Sequence, residues 1–399
     1  MFSTRRLLFN SPLKSKTALN QLLFRPKNSL SKHPENHHLQ IPSRCIRTTP
    51  ATHVGPAIGP VLVKMAQPLY RLGFMYLGRR ARRYWNNLPP DRKSKYVNMF
   101  TKSKRGVYGI VFLVGGFSAV YYMSHLEDTP VTKRRRFMIL SSDQLEKVAE
   151  VEWRNLDENL EKNKLSVHDP RYQKVFNIAK RILFANQSRE VNAFKWEVNV
   201  VDSEEVNAFV MANGKIYVFT GMLNTVQNDN ELAGILGHEI AHAILNHSAE
   251  MLSMSGFFNI FSLGFLTMIW AIVPSDGVAL VASVAQNVVE DLLVNLPYSR
   301  KLESEADEVG LLLAARACYD VRYVPRFWHR MHLQGDGEMP SIFHWFSTHP
   351  TNASRVEQID ELLPEALELR RSFQCPELRE FYDSTQKFRM KGEQPQFLS

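Results

Sequence analysis

Glu231 to Ala249 reads ELAGILGHEIAHAILNHSA, and within it His238, Glu239 and His242 stand in the spacing H-E-x-x-H. On a helix, residues four apart share one face about one turn apart, so two imidazoles can grip a single Zn2+ while Glu239 points at a water beside it. Leu232, Ile235, Leu236, Ala241, Ile244 and Leu245 surround the motif with apolar side chains. Such a helix is buried, and three buried titratable groups are costly without a partner. A zinc hydrolase fits this pattern better than an exposed polar turn.

Zinc held by two histidines needs another protein ligand and an open position for water. A third His after H-E-x-x-H-x-x-G is excluded, because Leu245 stands at the Gly and His247 falls one place short. Downstream lies SRKLESEADEVGLLLAARA, Ser299 to Ala317. Glu303, Ala306, Asp307, Gly310 and Ala314 fall on one helical face, with Glu305 and Glu308 assigned to the polar side near Arg316. Carboxylates among small residues at a close helix contact require a strong partner. Glu303 is therefore expected as the third ligand, and Asp307 as the acceptor that fixes the tautomer of a ligating imidazole. The competing reading is that both merely pair with Lys or Arg on a solvated helix.

HEIAH followed by ESEAD resembles the gluzincin metallopeptidases related to HtpX and the CAAX prenyl endopeptidase. The closer resemblance, through LPYSRKLESEADEVGLLLAARA, is to the Oma-type metalloendopeptidases of the mitochondrial inner membrane, and it covers roughly residues 138 to 360. NAFVMANGKIYV is similar to the family's strand before the zinc helix, although Ala212 and Asn213 stand where many relatives carry Pro and Gly. STHPTNASR is similar to a family motif with a His and an Arg near the site. The resemblance implies that His349 stabilises the oxyanion and that Arg355 braces the site; the alternative for His349 is a structural capping role. It also implies one zinc per chain, homo-oligomers, self-cleavage, and stress-responsive cleavage of membrane-anchored proteins, a dynamin-related fusion GTPase among them.

The expected fold class is mainly α with a small β-sheet, a gluzincin-type domain preceded by one transmembrane helix. Residues 1–100 hold 18 Lys and Arg against only Glu35 and Asp91, so the chain's net +9 comes from a basic leader joined to a mildly acidic remainder. That division argues against a nucleic-acid surface spread over the fold. Residues 1–48, rich in Arg, Lys, Ser and Leu, read as a mitochondrial presequence and not a secretory signal, because basic residues keep recurring and no sustained apolar run follows Arg5 and Arg6. Residues 49–105 read as a basic amphipathic segment on an anionic membrane, or as a linker. Gly106 to Leu126 lacks Lys, Arg, Asp and Glu and suffices to span a bilayer. A stop there leaves the protease domain, 137–399, in the intermembrane space, an orientation that Lys133 to Arg136 oppose.

Ser141 and Ser142 are positioned to cap a helix, Val175 to Phe184 reads as another, WEVNVV at 196–201 alternates like a strand, and 207–219 looks like a hairpin turning at Asn213 and Gly214. Met251 to Ser275 is 25 residues without a charge, and Gly277 to Val289 adds 13 more. His242 and Glu303 flank this insert and must meet at one ion, so it crosses a membrane an even number of times or not at all. A helical hairpin over 251–296, broken at Pro274 to Gly277, satisfies that condition. Of three cysteines, Cys318 and Cys375 remain after loss of Cys45, either paired or as two buried thiols. Without a Walker A loop, ATP-driven unfolding within this chain is not expected. An ER prenyl-protein protease shares the zinc constellation but has several early spans, and a catalytically silent zinc-binding scaffold has no use for Glu239.

Overall fold

The computed structural model describes residues 67–102, 104–291, 296–335, 349 and 353–379. The presequence, Cys45, residues 49–66 and most of STHPTNASR lie outside them. The described chain is mainly helical with small sheets. Helices α1 (Gln67–Asn87) and α2 (Pro90–Lys102) precede α3 (Lys104–Ser124), the helix expected from the uncharged window at 106–126. After Ser124 the backbone extends into β1 (Leu126–Asp128), which pairs antiparallel with β2 (Arg135–Phe137).

The Ser141 hydroxyl accepts from the Gln144 N–H while the Gln144 side chain accepts from the Ser141 N–H, a capping box that starts α4 (Ser142–Glu161) where the sequence places it. Asp169 caps α5 (Pro170–Ala185), which turns Val175, Ile178, Ala179, Ile182 and Leu183 into the core. WEVNVV supplies β3 (Glu197–Val201), and the expected hairpin supplies β4 (Ala208–Val210) and β5 (Lys215–Phe219). The turn passes through Gly214 at φ +88°, a conformation that a Cβ disfavours. The sheet order is β3-β5-β4, with β3 parallel and β4 antiparallel to β5, so β4 is an edge. Asp157 of α4 ties the sheet down: it accepts from Lys164 Nζ and Lys215 Nζ at 2.5 Å each and from the Tyr217 hydroxyl at 2.6 Å.

A short helix, α6 (Thr220–Thr225), leads into α7 (Asp229–Ile244), which Asn228 caps through the N–H groups of Asn230 and Glu231. Helix α7 is apolar almost all round and accordingly lies in the middle of the domain, with β4 against it. Asn246, at φ +56°, reverses the chain into α8 (His247–Ile272), and α9 (Asp276–Glu290) completes the hairpin after the break at Val273 to Ser275. Helix α10 (Leu296–Arg316) crosses α7 at a glycine pair: a Cβ on Gly310 would lie 2.6 Å from the His238 nitrogen, and one on Gly237 would lie 2.6 Å from the Gly310 oxygen. The small-residue face read from the sequence is this crossing. Helices α11 (Tyr323–Gly335) and α12 (Ala353–Ser372) pack onto the α7–α10 pair. Cys318 and Cys375 form a disulfide with Cα atoms 5.3 Å apart, which decides between the two readings of these residues.

Over its described part the basic segment at 49–105 is helical, and α1 packs along α8. Asn259 donates to the Tyr70 hydroxyl at 2.7 Å, Arg71 donates to Asn287 at 2.5 Å, and Arg79 and Arg82 pair with Asp276 at the tip of the hairpin. Among the described residues one helix, His247–Ile272, is long and apolar enough to cross a membrane by length and composition, and Phe112–Ser124 is a shorter apolar stretch. Phe112, Leu113 and Phe117 of α3, Ile260, Phe265 and Ile272 of α8, and Val281 and Val284 of α9 are all exposed.

Candidate active site

His238 and His242, one turn apart on α7, direct their Nε2 atoms to the same point, 3.1 Å from each other. Glu303 enters from α10, with Oε2 at 3.4 Å from His238 Nε2 and Oε1 at 3.5 Å from His242 Nε2. Ligand atoms about 2.1 Å from a common tetrahedral ion are spaced by about 3.4 Å, so the three donors fit a zinc-sized cation. His349 joins them, its Nδ1 2.9 Å from Glu303 Oε2 and 3.3 Å from His238 Nε2. Ligand atoms of all four residues lie within 4.8 Å of one another. Glu239 lies alongside, its Oε1 3.4 Å from His349 Nε2.

Behind His238 stands Asp307, one turn beyond Glu303 on α10, with Oδ1 2.9 Å from His238 Nδ1. Arg355 of α12 donates to Asp307 through Nε at 2.5 Å and Nη2 at 2.9 Å, and its Nη2 lies 3.1 Å from Glu303 Oε2. The guanidinium is stacked 3.8 Å from the Trp328 ring centroid. Burial disfavours the Glu303 carboxylate, but hydrogen bonds from His238 and His349 outweigh it and hold its pKa well below the ordinary range. Burial opposes the His238 cation too, yet the Asp307 hydrogen bond and charge raise its pKa to about 9. Burial, and next the charge on His238, push His242 well below the usual imidazole value.

All seven residues singled out from the sequence, His238, Glu239, His242, Glu303, Asp307, His349 and Arg355, gather here. The assignment of Glu305 to a polar face is corrected: its side chain is 5% exposed and forms an ion pair with Arg134, accepting from its Nε at 2.8 Å. Its pKa falls to about 2, because hydrogen bonds from His247, Arg134 and Thr132 overcome burial. Glu308 is half-buried, and desolvation, then the charge of Glu365, raises its pKa to about 7. Sequence reasoning also missed Trp328 and Arg134. Arg134 belongs to a basic run that reads as a topology signal, and nothing local marks it as turned inward.

The sequence profile of peptidase family M48 matches residues 172–363. The chain is 38% identical over 361 residues to the mitochondrial metalloendopeptidase OMA1 of Bos taurus, covering 88% of this chain and 67% of that protein. The human counterpart is 38% identical over 340 residues, 84% of this chain and 64% of that protein. The mitochondrial metalloendopeptidase OMA1 of Schizosaccharomyces pombe is 31% identical over 306 residues, 74% and 85% respectively. The chain therefore spans about two thirds of the length of the mammalian relatives and most of the yeast one.

Proposed function

The chain belongs to peptidase family M48 and is a metalloendopeptidase, and from that premise we propose that it is a zinc-dependent, ATP-independent enzyme of the mitochondrial inner membrane. His238, His242 and Glu303 hold the ion, and one observation carries this reading: their donor atoms are spaced 3.1 to 3.5 Å apart, with Glu239 adjoining. When bound there, the ion would supply Lewis-acid chemistry, polarising a carbonyl and easing the deprotonation of water. Glu239 takes the proton of the attacking water and returns it to the leaving amine. His349, with Nε2 near Glu239, donates to the oxygen on which negative charge develops. Asp307 accepts the His238 Nδ1 proton and so keeps the Nε2 lone pair turned inward, while Arg355 balances the charge of Asp307 and Glu303. An extended substrate adds to the free edge of β4, which packs on α7.

The substrates are membrane-anchored proteins, a dynamin-related fusion GTPase among them; the support for that choice is the resemblance to Oma-type enzymes. Helix α3 anchors the chain, and the α8–α9 hairpin enters the same bilayer. Its uncharged 25-residue stretch and exposed aliphatic and aromatic side chains support this, and the arrangement keeps the site close to the membrane surface. With the presequence leading into the matrix, the protease domain faces the intermembrane space.

The test is Glu239→Gln in the full-length chain. Zinc content stays at the wild-type level while peptide hydrolysis falls by roughly 10²–10⁴-fold, the usual contribution of a general base. Wild-type turnover in this variant overturns the assigned role of Glu239.

A further inference from the structure

His242 is held from behind as well as from in front. Its Nδ1 lies 2.9 Å from Nδ1 of His247, the first residue of α8, which is 3% exposed. The other nitrogen of His247, Nε2, is 3.3 Å from Glu305 Oε2. Glu305 also accepts from Arg134 Nε at 2.8 Å and from the Thr132 hydroxyl. The remaining nitrogens of Arg134 reach Glu250 of α8, Nη1 at 2.6 Å and Nη2 at 2.7 Å, and Glu250 accepts from the Tyr298 hydroxyl as well. Arg136 lies 3.6 Å from the same carboxylate and donates to the Leu245 carbonyl.

The order of donors along this chain is determined by chemistry. A carboxylate kept ionised beside Arg134 is an acceptor only, so His247 must present Nε2–H to it. Its Nδ1 is then a lone pair, and His242 must donate Nδ1–H. That leaves a lone pair on His242 Nε2, the atom facing His238 and Glu303. On the other side of the site Asp307, backed by Arg355, does the same for His238 directly. The two arms end in carboxylates two residues apart on α10, each paired with an arginine.

Building on the metal site proposed above, we infer that His247, Glu305 and Arg134 are positioning residues that fix the tautomer and orientation of His242. Arg134 and Thr132 lie in the loop of the β1–β2 hairpin that follows α3, so the segment joining the membrane helix to the domain completes the metal site. The His242 arm is therefore tied to the membrane anchor, whereas the His238 arm is internal to the protease domain.

The experiment is zinc affinity by competition with a chromogenic chelator, using the detergent-solubilised full-length chain, with thermal unfolding as the control for folding. His247→Leu fills the space without hydrogen bonding and is expected to lose roughly 10–100-fold in zinc affinity, the range for removing a group that orients a ligand. His247→Gln keeps an acceptor for His242 and a donor for Glu305 and is expected to stay within about threefold of wild type. Glu305→Gln, close to wild type in shape, is expected to lose about tenfold, and it decides the matter if His247→Leu does not fold. The inference is overturned if His247→Leu folds and binds zinc as wild type does. It is equally overturned if His247→Gln is as impaired as His247→Leu, which assigns the effect to packing. It is overturned too if Glu305→Gln keeps full affinity. Wild-type chain that takes up no zinc overturns the metal reading itself, an outcome separate from the others.

Discussion

Gly310→Ala probes the crossing that brings Glu303 to His238 and His242. The added methyl would lie 2.6 Å from the His238 nitrogen, 2.7 Å from its Cα and 2.8 Å from the Gly237 carbonyl carbon. All three are backbone atoms, so no side-chain rotation relieves the overlap. Ordinary contact begins near 3.4 Å, and α7 and α10 must part by about 0.8 Å to bring the closest contact of 2.6 Å out to it, an overpacking that costs roughly 1–3 kcal/mol. Glu303 lies two turns from Gly310 on the same face and His238 is next to Gly237, so the same movement pulls the carboxylate away from the imidazoles. Zinc affinity is expected to fall at least tenfold, and hydrolysis with it, since displacements approaching 1 Å at a reacting centre cost up to about 10²-fold. Urea denaturation reports the first effect and chelator competition the second. Gly256→Ala on α8, where a Cβ meets nothing within 4 Å, is the control and is expected to be neutral or slightly stabilising. Wild-type stability and wild-type zinc affinity in Gly310→Ala would refute the reasoning, because the backbones would then not be in contact.

Asp157 sets a pH dependence. Burial opposes its charge, but hydrogen bonds from Lys164, Lys215 and Tyr217 outweigh it and hold its pKa far below the ordinary carboxylate value. Its contribution to stability is therefore complete above about pH 4 and is lost as pH falls through the depressed folded-state value. Asp157→Asn is expected to be less stable than wild type at pH 7 with a gap that narrows in acid, a comparison made by denaturant titration at several pH values. A gap that stays constant down to pH 2 contradicts the ion-pair account. The Cys318–Cys375 bridge closes a loop with a sequence separation of 57, for which chain entropy gives a stabilisation of about 4 kcal/mol. Cys318→Ser, or reduction of the wild type, is expected to lower the midpoint of thermal unfolding, and an unchanged midpoint argues against the bridge.

The convergence of His238 and His242 was legible because a period of 3.6 residues turns H-E-x-x-H into a geometric statement that needs no tertiary information. The hairpin at Asn213 and Gly214 and the cap at Ser141 were legible for the same reason: turn and cap chemistry is local. Glu305 was misplaced because a helical wheel sets it about 200° from Glu303, and one buried face was taken to imply one solvated face. Helix α10 is enclosed on both sides, by α7 at the crossing and by Arg134, His247 and Thr132 on the far flank. No local pattern shows that the basic run Lys133 to Arg136 turns two arginines, Arg134 and Arg136, inward. The docking of α1 along α8 was hidden for a related reason, since the pairing of Arg79 and Arg82 with Asp276 joins positions almost two hundred residues apart.

The most direct measurement is anomalous diffraction at the zinc absorption edge from crystals of the zinc-loaded protein. A single peak per chain is expected, within ligand distance of His238 Nε2, His242 Nε2 and the Glu303 carboxylate. Full zinc occupancy with the peak elsewhere, or with Glu303 turned away from it, would contradict the assignment of the catalytic centre.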